Sequence, residues 1–273
     1  MSLSSGSLDS VVPGVGMLAL AGYLLAAWPG ARAAAWAGHA LWAALLAHLL
    51  MLSLDIGSIG LAGSSARLGF GPVLSLTVCL VVGVHAIESR LVPVPRVRRM
   101  LAMAGVAAVA LVLAFPGEVR TLGSAGAPLH WLLGVAAYGL FGAAVLHGLL
   151  LDESERRLRR HRAAAALSAA SPTMPLLQLE RITFRFVQVG FAVLTVAIVF
   201  GAVTARQWRF DHKAVLSLWS WGIFAALLVG RQRRGWRGRQ ATRWLYAGAL
   251  VLLLAYAGTR FVTEVVLNRS GGV

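Results

Sequence analysis

Eight apolar runs, each about as long as a bilayer is thick, dictate what this chain can become. A hydrocarbon core roughly 30 Å thick takes about 20 residues of helix to cross. Runs of that size fall at 9–28, 34–54, 70–89, 97–115, 129–151, 182–205, 212–230 and 242–266. The breaks between them carry Trp28-Pro29-Gly30, the glycines from Gly57 to Gly63, Pro93 and Pro95, and Phe115-Pro116-Gly117. Proline and glycine stop a helix at little cost. In lipid every backbone N–H and C=O must be satisfied within its own segment, so continuous apolar runs predict helices, whereas barrel strands would alternate. The expected fold is all-α: a polytopic transmembrane bundle of about eight spans, forming a single integral membrane domain over 1–273. Composition agrees, since 58% of the 273 residues are hydrophobic and only 13% charged. A soluble domain would carry about a quarter charged residues.

A net charge of +15 raises nucleic acid as a partner, but the arginines sit in short clusters between apolar runs. That placement is the signature of orientation in a bilayer, with basic links held in the cytoplasm. Arg90, Arg96, Arg98 and Arg99 fill the third link, and Arg231, Arg233, Arg234, Arg237, Arg239 and Arg243 the seventh. The fifth link, 152–180, opens with Arg156, Arg157, Arg159, Arg160 and Arg162. The even links and the C-terminal end hold only Arg67, Arg120, Arg206, Arg209, Lys213, Arg260 and Arg269. Odd links are therefore expected in the cytoplasm and both termini outside it. The first ten residues carry a single charge, Asp9, so the first run reads as a retained span rather than a cleaved signal peptide. The acids and arginines that open the fifth link stand at i, i+4 spacing, which predicts that span five continues beyond the membrane as a helix. The Ala- and Ser/Pro-rich stretch up to Pro175 reads as a connector.

The residues able to carry chemistry are few. The one cysteine, Cys79, excludes an intramolecular disulfide, a Cys-x-x-Cys motif and covalent c-type haem attachment to this chain. Phosphate loops, nucleophile elbows and His-Glu-x-x-His are absent, so no enzymatic turnover is expected. Seven histidines remain, and an imidazole in or near lipid needs a partner or a ligand. Counting 1.5 Å per residue groups His130 and His212 at the outer surface with His48 beneath them, and His39, His85 and His147 at the cytoplasmic ends of their spans. His161 falls among the arginines of link five. The ordinary state of an interfacial histidine is a bond to a carbonyl or a headgroup. The outer group differs in its company: Trp131 follows His130, and Trp208 and Trp219 flank His212 within the stretch from Arg206 to Trp221. Flat indoles beside two neutral imidazoles suit a planar macrocycle such as haem, with the histidines as axial ligands. Arg260 and Arg209 are placed to neutralise its propionates, and Glu264 stands one turn from Arg260. Zinc or copper would ask for three or four ligands.

Four stretches carry a resemblance. They are Leu129-His-Trp-Leu-Leu-Gly-Val-Ala-Ala-Tyr138, Pro175-Leu-Leu-Gln-Leu-Glu-Arg-Ile-Thr-Phe-Arg-Phe186, the region from Gly201 through Asp211-His-Lys-Ala-Val-Leu-Ser-Leu-Trp-Ser-Trp221, and Gly235-Trp-Arg-Gly-Arg239 together with Leu254-Ala-Tyr-Ala-Gly-Thr-Arg-Phe-Val262. The chain resembles the cytochrome c assembly protein family, in particular its small eight-span inner-membrane branch of HemX-like and YpjD-like proteins. The likeness covers the second half closely and the first half mainly in span pattern. It implies a multi-pass bacterial inner-membrane protein that handles haem, non-covalently and of b type. By the same resemblance His130 and His212 form the external axial pair and His48 an intramembrane ligand. It also implies cytochrome c maturation proteins or a haem-pathway enzyme as partners. Where larger members carry Trp-Asp-Pro-Lys-Glu, this chain reads Phe210-Asp-His-Lys-Ala214, keeping Asp211 and Lys213. A haem-binding, haem-sensing or assembly-supporting role follows. The alternatives are a cofactor-free membrane scaffold or regulatory subunit working through the 152–180 link, and, last, a small-molecule transporter.

Overall fold

The computed structural model describes residues 5–60, 65–90, 95–116, 118–121, 126–164, 176–204 and 211–259. Eight α-helices account for nearly all of them: α1 Ser5–Ala27, α2 Ala31–Gly60, α3 Phe70–Glu88, α4 Pro95–Ala114, α5 Ala127–Ala164, α6 Leu176–Thr204, α7 His212–Arg234 and α8 Gly238–Leu253. A π-helical turn, Leu254–Gly258, continues α8. Each helix answers to one apolar run, and six of them (α2 to α7) are long and apolar enough to cross a membrane. Residues 11–27 of α1 form a shorter apolar helix. The polytopic helical bundle expected from the sequence is the observed fold.

Two short strands, β1 Ser65–Leu68 and β2 Glu118–Thr121, pair antiparallel with Ser65 opposite Thr121. The sequence reading assigns no strand to these links. Four residues with no apolar alternation leave nothing for a periodicity argument to detect, and the partner is about fifty positions away along the chain.

The chain divides into two compact units, one running up to Pro128 and the other spanning Leu129–Thr259. In the first, α1 and α2 close tightly because small residues face each other: a Cβ on Gly22 would stand 2.9 Å from Ala44 Cβ. The Tyr23 ring lies over Gly105 of α4 in the same manner. Ala19, Leu41, Met51, Leu52, Val82 and Val109 are buried around these contacts.

The second unit is an up-down-up-down set of four helices, and its hydrogen bonds show which ends meet. His130, in the first turn of α5, bonds Ala197 near the end of α6. At the other end Asp152 of α5 accepts from Thr242 Oγ1 (3.0 Å) and Tyr246 Oη (2.9 Å) of α8. There too Arg231 of α7 pairs with Glu180 of α6 at 2.9 Å. The interior is apolar, with Phe141 stacked on Phe224 at 3.8 Å amid Ala137, Phe184, Val187, Leu227 and Leu245. The turn from α7 into α8 uses Gly235 at φ +65°, a left-handed position suited to glycine, and Trp236 N–H returns to the Gly230 carbonyl at 3.3 Å. α5 continues well past the end of its apolar run at Leu151 to Ala164, with Arg157 Nε donating to Glu153 Oε1 at 3.0 Å. The expected helical extension of span five is present.

Candidate functional site

At one end of the second unit α5 and α7 begin and α6 ends. His130 stands there, exposed, on the first turn of α5. Its Nδ1 lies 3.1 Å from the Ala197 carbonyl oxygen. A carbonyl can only accept, so Nδ1 carries a proton and donates; in the neutral ring the lone pair is then on Nε2. The ring comes this close to α6 because position 201 has no side chain: a Cβ there would stand 2.7 Å from His130 Cε1. A histidine with one ring nitrogen tied to a carbonyl shares the tautomer-fixing bond usual for metal-ligating imidazoles.

His212 is the first residue of α7 and is also exposed. Asp211 precedes it as N-cap, its carboxylate accepting from Ala214 N–H at 2.9 Å. The cap holds the first turn of α7 at the end of the unit where His130 stands. Trp219, two helical turns on and on the same face, is 69% exposed. Trp221 is the inward indole, donating to Thr195 Oγ1 at 2.9 Å and stacking on Phe191 at 5.5 Å. Trp131, beside His130 in sequence, has a buried Nε1 that meets no acceptor among the described residues. Trp208, Arg209, Arg260 and Glu264 lie outside the described residues.

His48 belongs to the first unit and is fully buried. Its Nδ1 lies 3.1 Å from Tyr23 Oη and its Nε2 2.7 Å from Ser75 Oγ. A neutral imidazole offers one donor and one acceptor, and two hydroxyls can serve either role, so the ring is satisfied on both sides. Among the inner histidines, His39 and His85 line one cavity in the first unit. His147 belongs to the second unit, donates through Nδ1 to the Ala143 carbonyl at 2.8 Å and rests against Phe186. The structure thus brings His39 and His85 together but describes His147 in a different unit. His161 lies on α5.

Sequence reasoning missed Gly201, Tyr23 and Ser75. Gly201 was visible as a glycine on the last turns of a span, and Tyr23 and Ser75 as hydroxyls inside apolar runs. Nothing local paired any of them with a histidine 25 to 71 positions away.

Among the described residues, no three His, Cys, Asp or Glu side chains gather as a zinc or copper site requires. His130 does fit the axial position of a group that brings its own equatorial ligands, because it presents one oriented imidazole nitrogen. His212, exposed on the first turn of α7, is compatible with the same role.

A helical bundle with six helices long and apolar enough to cross lipid defines a class: multi-pass helical membrane proteins, here with two exposed histidines at one end of the second unit. The profile of the "Cytochrome C assembly protein" family matches residues 69–267, and the chain belongs to that family. It is 29% identical over 232 residues to "Inner membrane protein YpjD" of Escherichia coli (strain K12), a match spanning 82% of this chain and 84% of the relative. "Cytochrome c biogenesis protein CcsA" of Picosynechococcus sp. is 38% identical over 101 residues, 34% of this chain and 30% of its own length. An "Uncharacterized 28.8 kDa protein in nifR3-like 5'region" of Azospirillum brasilense is 33% identical over 145 residues, covering 51% of this chain and 52% of the relative. These relatives narrow the expected branch to its YpjD-like side. No solved structure matches the chain. The protein is a multi-pass protein of the bacterial inner membrane, and its family ties it to cytochrome c biogenesis and haem handling.

Proposed function

We propose that the protein holds haem, of b type and non-covalently, at the end of its second unit where α5 and α7 begin. His130 and His212 serve as axial ligands, and the protein supports cytochrome c biogenesis without catalysing a reaction. One observation carries the reading: the exposed His130 ring is oriented by its Nδ1–H bond to Ala197 and by the missing Cβ of Gly201, which leaves Nε2 of the neutral ring as the nitrogen able to ligate. Haem would supply the redox-active iron; the chain supplies ligands, an aromatic flank and charge. Trp219 shares the exposed face of α7 with His212. Trp208 and Arg260 are assigned to the same site from the sequence, as stacking surface and propionate partner. His48, also assigned to the site from the sequence, is held in the first unit between Tyr23 and Ser75.

The site lies on the outer face of the membrane in this reading. Its support is the charge at the opposite helix ends: α7 finishes in Arg231, Arg233 and Arg234, and α5 carries Arg156 and Arg157. Partners are then maturation proteins or a haem-pathway enzyme that meets the outer end. The test is the absorption spectrum of protein purified from haem-replete cells. We expect a Soret band in the wild type that falls at least several-fold in His130→Ala and His212→Ala. Wild-type protein with no Soret band after haem reconstitution sinks the reading and leaves the cofactor-free scaffold.

A further inference from the structure

At the end of the first unit where α2 begins, α3 ends and α4 begins, a cavity of about 320 Å³ opens. Among the residues that line it are Trp42, Arg90, Arg98, His39 and His85, and none of the described lining residues is a carboxylate. The guanidinium of Arg90 sits 4.8 Å over the Trp42 ring, a contact that holds the charge in place without neutralising it. Arg98 is half-buried, and its Nε is shut away from solvent with no acceptor among the described residues. Pro95, also on the lining, opens α4, so first-turn amides stand close by. Two guanidinium groups, one with an unspent Nε donor, and the His39 imidazole thus line a concave site suited to an anion.

We propose that this cavity binds a phosphate group, as the headgroup of an anionic phospholipid or as a free phosphate compound. Phosphate fits better than a lone carboxylate because its three or more oxygens can engage both guanidinium forks and an imidazole at once. The position at the ends of three apolar helices puts the cavity at headgroup depth, and basic pockets between helices there recognise anionic lipid heads. The site belongs wholly to the first unit and stands apart from the haem reading.

The full-length protein in phosphatidylcholine nanodiscs provides the test, read as the midpoint of thermal unfolding. Phosphatidylglycerol is mixed in for the lipid arm; inorganic phosphate, with chloride at equal ionic strength as control, is added for the free arm. In one arm at least, the wild type should gain about 3–6 °C at saturating ligand. The gain should vanish in Arg90→Gln/Arg98→Gln and persist in Arg96→Gln/Arg99→Gln, which removes the same charge from two exposed positions off the cavity. A gain from phosphatidylglycerol alone names the lipid as source, and a gain from inorganic phosphate names the free anion. Gly38→Leu guards against misfolding of the double variant. A Cβ at Gly38 meets nothing within 4 Å, so the new side chain fills the cavity without touching its charges and should abolish the gain. No gain in either arm, or equal loss in both arginine pairs, overturns the proposal.

Discussion

At the scale of single residues, the site depends on an atom that is missing. Gly201→Ala adds a methyl group where only 2.7 Å separates its position from His130 Cε1. The imidazole must swing away and lose its bond to Ala197, while the rest of α6 gains a better helix former. Haem content in the purified variant should fall toward that of His130→Ala with the helical circular dichroism unchanged; full haem retention would show that the orientation of His130 is immaterial. His48 illustrates a different use of the same residue type. Held between Tyr23 and Ser75, it is an interior polar group whose needs are met. Sequence alone told that these histidines were expensive but not which were satisfied. The deciding partners are a backbone carbonyl 67 positions away for His130 and hydroxyls 25 and 27 positions away for His48, and no periodicity reports them. The tryptophans teach the same point, since Trp219 and Trp221 differ by two positions and only the second turns inward to Thr195.

At the scale of elements, reading was easier because the forces are local. Length and apolarity placed all eight helices, and Pro and Gly marked the first four breaks. The start of α7 at His212 coincides with the expected start because Asp211 caps it through its own carboxylate. Asp211→Ala removes that acceptor and leaves the Ala214 amide to water, a loss of about 1 kcal/mol. Denaturant unfolding of the full chain in detergent should register it as a lowered midpoint. Because the cap also seats the first turn carrying His212, haem retention should weaken in step; unchanged stability and unchanged haem together would deny the cap any role. The β1–β2 pair escaped notice for the opposite reason, being a non-local pairing of two four-residue stretches.

At the scale of the whole molecule, orientation rests on the distribution of arginine. Alkaline phosphatase, active only outside the cytoplasm, should be inactive when fused within 165–175 and active when fused behind Val273. The reverse pattern would turn the protein over and move the histidine end to the cytoplasm. One helix bears on both faces at once. α5 is 38 residues long, about 57 Å at 1.5 Å per residue against a hydrocarbon core of about 30 Å. It starts beside His130 and finishes beyond the Glu153–Arg157 pair. A continuous helix of this kind behaves as a stiff lever whose two arms are unequal in surroundings, one set in lipid and one standing clear of it. A tilt of ~10° at one end displaces the other by ~10 Å along a rod of that length. Any partner that grips the protruding arm therefore constrains, from the far side of the membrane, the attitude of the turn on which His130 is mounted.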